Sequence, residues 1–99
     1  MLTVKRYCEL PERERVVVAK QLIASVLEKH VGSMASINGA RLLRRAFAVY
    51  PADLTTFYSD VLRHLASIEI DGRRWLLVSA RAKKKNKRGW CHYIVYRRI

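Results

Sequence analysis

A chain of 99 residues has room for one domain with a single core, and no second domain is expected. Hydrophobic residues make up 51% and Gly and Pro are sparse, which excludes a disordered polyelectrolyte, so the net charge of +12 must be carried by something folded. The charge is uneven: Met1 to Asp71 holds ten basic and eight acidic residues, Gly72 to Ile99 ten basic and none acidic.

At the N-terminus, LTVKRYCEL places Leu2, Val4, Cys8 and Leu10 on one side of an extended chain, so residues 1–10 are expected to include a short edge strand. Pro11 suits the start of a helix, Glu12 and Glu14 sit at its positive end, and Lys29 and His30 precede a stop at Gly32. Val16, Ala19, Ile23, Val26, Leu27 and His30 follow helical spacing, predicting a helix to about residue 31. SMAS reads as a link. Asn38 can then cap a second helix, INGARLLRRAF, with Leu42, Leu43, Ala46 and Phe47 inward and Arg41, Arg44 and Arg45 outward.

Pro51 ends that pattern and opens a third helix with the cleanest period in the chain: Leu54, Phe57, Tyr58, Val61, Leu62 and Leu65. Its other face offers Thr55, Thr56, Ser59, Asp60, Arg63 and His64. After Ala66 the period changes to two, and IEI, Asp71-Gly72 and RRWLLVSA read as a hairpin. RAKKKNKRG, residues 81–89, separates the second strand from WCHYIVY, so this basic run is expected to be a loop held by a sheet. Neither face of residues 90–96 is cleanly polar, which predicts a sheet covered on both sides or used to form a homodimer.

Three helices over residues 11–66 and a C-terminal antiparallel sheet of two to three strands over 67–99 give an α+β domain. This region resembles the winged helix-turn-helix superfamily, through INGARLLRRAF as second helix, AVYPAD as turn, LTTFYSDVLRHLASI as recognition-type helix and the hairpin segments after it. The resemblance is architectural and implies that the third helix enters a major groove of double-stranded DNA while the wing grips the backbone. It would set Thr55, Thr56, Ser59 and Arg63 towards the bases, with Asp60 opposing binding unless it bonds a neighbouring arginine or accepts from cytosine. Asp71 to Arg74 and Arg81 to Gly89 compete for the wing; the order of elements favours the first, length and charge the second. With the longer loop as wing, phosphate contacts fall to Arg81, Lys83, Lys84, Lys85, Lys87 and Arg88, joined by Arg41, Arg44, Arg45, Arg73 and Arg74.

Trp75 and Trp90 adjoin basic residues, as in sites that stack unpaired bases, although core packing suits both; RNA or single-stranded nucleic acid on Trp90 or Tyr93 is therefore a second reading. A third is an interaction protein docking an acidic partner. Enzymatic readings are weaker. Glu69 and Asp71 share one side of a strand but lack a third metal ligand, and Asp71 suits a turn. Cys91 and His92 point to opposite faces, and no HExxH, phosphate loop or paired CxxC occurs, so neither catalysis nor a cofactor is expected. Cys8 and Cys91 are expected to be buried thiols. The positive residues do not form an amphipathic helix, no apolar run approaches a span, and MLTVKRYCEL has no signal-peptide core, so no membrane role and an intracellular location are expected, cytoplasmic or nucleoid-associated, or nuclear in a eukaryote.

Overall fold

The computed structural model describes residues 6–84 and 90–99, without the side chains of 81–84 and 90–92. Pro11 caps α1 (Glu12–Leu27), whose first turn carries Glu12 and Glu14. It is followed by β1 (Met34–Asn38), α2 (Gly39–Leu43), α3 (Pro51–His64), β2 (Ser67–Ile70), β3 (Arg73–Lys84) and β4 (Trp90–Arg98). The strands form one antiparallel sheet in the order β1-β4-β3-β2. The architecture is therefore α+β, with four strands where two to three were expected.

The additional strand is β1, at the stretch read as a link. Its small residues give little local strand signal, but alternate burial sends Ala35 and Ile37 into the core, and pairing sets them against Tyr96 and Ile94 of β4. Tertiary pairing here overrides weak propensity. The expected N-terminal edge strand is not formed where the chain is described: Tyr7–Glu9 is a 3-10 turn, and residues 1–5 lie outside the described residues. α1 ends at Leu27, short of residue 31. Hydrogen bonds from Lys29 N–H to Val26 O and His30 N–H to Leu27 O tighten the chain there, and the His30 ring bonds Met34 O. The second helix is likewise shorter than INGARLLRRAF; Asn38 does cap it, accepting from Arg41 N–H at 3.0 Å, but residues after Leu43 continue as turns and leave Ala46 exposed.

α3 begins at Pro51, as its sequence predicts, but its faces divide differently. Leu62 points to solvent with 55% of its surface exposed, whereas Asp60, assigned to the polar face, is 3% exposed and Asp53 is fully buried. Both aspartates lie on a helical line towards the N-terminal segment, where donors await them. Tyr7 Oη–H donates to Asp60 at 2.6 Å and Arg15 Nε–H at 2.9 Å, while Arg15 also reaches Leu10 O at 2.9 Å. Asp53 accepts from Cys8 N–H at 3.1 Å, Tyr50 N–H at 2.9 Å and Arg6 Nε–H at 3.2 Å. Arg6 also stacks over the Tyr50 ring, 4.6 Å from its centroid. Side-chain acceptors on α3 thus organise the segment in place of a strand ladder.

The helices pack on one face of the sheet, where Ala19, Ile23, Leu27, Leu43, Phe57 and Val61 meet Ile37, Ile68, Trp75, Ile94 and Tyr96. Trp75 is core, as expected, and Tyr96 Oη–H donates to Leu65 O at 2.7 Å, tying the end of α3 to β4. Of the two expectations for the sheet, cover on both sides is not met among the described residues, since Met34, Val78 and Tyr93 are exposed on the outer face; homodimerisation remains the other. A bulge between Leu77 and Ser79 turns Val78 outward. Asp71 and Gly72 both take positive φ, 51° and 77°, which fits the two-residue hairpin turn the sequence signals.

A candidate nucleic-acid interface at one end of the sheet

The four strands do not end together. β2 pairs with β3 only from Arg73 to Leu76, and β1 pairs with β4 only as far as Tyr93. The ladder of β3 with β4 continues to Lys84 opposite Trp90, so Ala82–Lys84 and Trp90–His92 form a two-stranded ribbon beyond both neighbours. Arg81, Lys83 and Lys84, expected in a loop, belong to that ladder, because antiparallel pairing continues where charge alone would suggest a break. Lys85, Lys87 and Arg88 lie outside the described residues.

Antiparallel register decides what accompanies the ribbon. Asn38, the last residue of β1, lies opposite Tyr93, and Tyr93 in turn lies opposite Arg81. The ribbon therefore leaves the sheet at the end where β1 enters α2, beside the exposed residues Arg41, Arg44 and Arg45. α3 lies with its N-terminal half towards the same end: Leu65 is tied to Tyr96, and Tyr58, two turns earlier, presses on Gly39. The Asp71-Gly72 turn and Arg73, Arg74, Arg97 and Arg98 are at the opposite end. Arg73 and Arg74 are thus not brought together with the other cations of the expected interface.

On α3, Thr55, Ser59 and Arg63 are exposed and Thr56 is half-exposed. Thr55 Oγ1–H donates to Pro51 O at 3.1 Å and Thr56 Oγ1–H to Ala52 O at 2.9 Å. Their hydroxyl protons are engaged within the helix, so towards an external partner these oxygens act as acceptors, which suits a base amino group better than a phosphate. His64 at the end of the helix bonds Glu12 at 2.9 Å.

Between β1, α2 and β4 lies a cleft of about 340 Å³ whose lining includes Ser36, Asn38, Arg41, Arg45 and Tyr93. Arg41 lies in α2 and Arg45 in the turn just after it, and neither forms an ion pair among the described residues. Asn38 uses its side-chain oxygen as the α2 cap, leaving its amide nitrogen to donate outward. Tyr93 was singled out in the sequence as a stacking residue; Ser36 and Asn38 were not, because only the register of β1 with β4 brings them to it.

The remaining reactive groups have structural surroundings. Cys8 is half-buried where full burial was expected, and its thiol is pushed up by a hydrogen bond with Asp53 and by burial, which opposes thiolate formation. The Cys91 side chain is outside the described residues. Burial pushes Asp53 up, but hydrogen bonds from Cys8, Tyr50 and Arg6 outweigh it and hold the carboxyl below its ordinary value. Among the described residues no group of three His, Cys, Asp or Glu side chains is placed to hold a metal, and no helix is long and apolar enough to cross a membrane. No family model, curated protein or solved structure matches the chain.

Proposed function

We propose that the protein binds double-stranded DNA inside the cell, as a transcriptional regulator or architectural factor with a winged helix-turn-helix arrangement. The observation that carries this reading is the two-stranded ribbon joined by residues 85–89, which stands beyond its neighbouring strands on the side of Arg41, Arg44 and Arg45. Two-stranded ribbons fit the grooves of a duplex, and their cations neutralise phosphates. The register favours the basic hairpin as the wing, since Asp71-Gly72 turns at the far end of the sheet. α3 would meet the major groove with Thr55, Thr56, Ser59 and Arg63. The difficulty that Asp60 posed for that helix is removed, because its carboxylate is turned inward onto Arg15.

The affinity in this mechanism comes mainly from counterion release along the hairpin and α2, and the sequence preference from α3. The test is a titration of a labelled random-sequence duplex and of its single strand at several salt concentrations, with light scattering for mass. Duplex preference with a steep salt slope is the expected result. Preference for the single strand would move the site to Tyr93 and the outer sheet face, and loss of binding at modest salt on every nucleic acid would favour an acidic protein partner.

A further inference from the structure

We infer that the cleft between β1, α2 and β4 is a binding site for a single unpaired nucleotide, with its phosphate on Arg41 and Arg45 and its base on the Tyr93 ring. The assignment rests on the nucleic-acid reading for the strand that would deliver the nucleotide; the site's own chemistry does not depend on it. At about 340 Å³ the cleft is at the lower end of small-ligand sites and far too small for a duplex. Its lining is cationic without compensation: two guanidiniums, no carboxylate. Arginine forks match phosphate oxygens in pairs, and here Arg41 of α2 and Arg45 of the turn that follows it line the same cleft.

The rest of the lining divides as a nucleotide does. Val26, Ile37 and Leu42 supply an apolar floor, Ser36 and Asn38 supply hydrogen-bonding groups for a base edge or sugar, and Tyr93, 43% exposed, offers a ring face for stacking. Aromatic stacking tolerates any base, so the site would read the absence of pairing and not sequence. Its position fits that task, because Tyr93 lies where the basic ribbon leaves β1 and a strand held by the ribbon would pass the cleft mouth. A different concavity, about 190 Å³ beside Glu28, Asp71 and Arg73, has two carboxylates against one guanidinium and disfavours an anion.

The test compares a blunt duplex with the same duplex carrying a one-nucleotide 5′ overhang, by fluorescence anisotropy, together with adenosine 5′-monophosphate and inorganic phosphate by NMR titration. The overhang should bind about 5- to 150-fold tighter, the range for one base stacked on an aromatic ring. That ratio should fall to about one in Tyr93→Leu and persist in Tyr93→Phe, with unchanged melting curves showing that both variants fold. Adenosine monophosphate binding in competition with the overhang, weakened in Arg41→Gln and Arg45→Gln, would extend the site to free nucleotides. Equal affinity for blunt and overhanging duplexes, or an advantage that survives Tyr93→Leu, would overturn the assignment while leaving duplex binding intact. Loss of all duplex binding with Tyr93-dependent nucleotide binding retained would overturn the duplex reading alone.

Discussion

Asp60→Ala removes the acceptor at the centre of the contact between α1, α3 and the N-terminal segment. Asp60 is 3% exposed and holds Tyr7 Oη at 2.6 Å and Arg15 Nε at 2.9 Å, with Arg15 Nη2 at 3.4 Å. Breaking one side of a buried ion pair costs about 3–5 kcal/mol, mostly because the partner charge is left without compensation. Two features place this case at the lower end. The Arg15 side chain keeps 17% exposure and its bond to Leu10 O, and the Tyr7 hydroxyl keeps Arg15 O as an acceptor at 3.3 Å. A loss of about 3 kcal/mol follows, which for a domain of this size lowers Tm by roughly 10–25 °C. Urea and thermal unfolding followed by circular dichroism measure it. The double variant Asp60→Leu with Arg15→Met, apolar at both positions, should recover most of the loss, because the cost lies in the orphaned charge. A loss below about 1 kcal/mol for Asp60→Ala, or a double variant worse than the sum of its singles, would refute a buried, coupled pair.

Asp53 ties stability to acid. Its folded carboxyl is held below its ordinary value, so its contribution is fully present above the unfolded pKa of about 4 and is lost as pH falls through the folded value; Asp53→Asn should flatten the fall in stability below about pH 4, seen in urea midpoints across an acid series. At Gly39, an added Cβ would collide with the Tyr58 hydroxyl and lie 2.9 Å from its ring carbon, so Gly39→Ala should cost about 1–3 kcal/mol, partly recovered with Tyr58→Phe, as read from unfolding midpoints. Replacing Lys83, Lys84 and Lys85 by alanine should weaken binding to all duplex sequences and flatten the salt slope by at most about three units; unchanged binding in the salt titration would remove the hairpin from the interface.

What the sequence discloses and what it hides follow from the range of the interactions involved. α3, the Asn38 cap and the Asp71-Gly72 turn depend on neighbours within a few residues, and periodicity or backbone preference reveals them. β1 does not, since MASIN becomes a strand only by pairing with residues 93–97. The buried aspartates escape notice because charged residues on an amphipathic helix are assigned to water. Their signal was available: Asp53 and Asp60 are seven positions apart, two turns along one helical line, beside the apolar stripe. Leu62 errs in the opposite direction, since the six residues of apolar spacing describe a wider stripe than the protein buries. For the candidate site, Arg41 and Arg45 are legible in the sequence as outward charge, but their meeting with Tyr93 needs the register of β1 with β4.

The division of charge gives these features a common logic. Among the described residues, Asp53 and Asp60 of α3 pair with Arg6 and Arg15 while Glu12 of α1 bonds His64, and these contacts lock helices and N-terminal segment together. Glu69 faces Arg74 across the β2–β3 ladder, at the sheet end away from the ribbon. From Gly72 onward the chain has no acid at all, so the ribbon's cations have none within their own hairpin. The hairpin base is nevertheless fixed by Trp75, Ile94 and Tyr96 in the core, so the protein bears the mutual repulsion of those cations on a framework anchored elsewhere. Under the proposed function a polyanion would relieve that repulsion at a place distant in sequence from Asp53, Asp60 and Glu12, so that charge would serve binding while those carboxylates serve the fold.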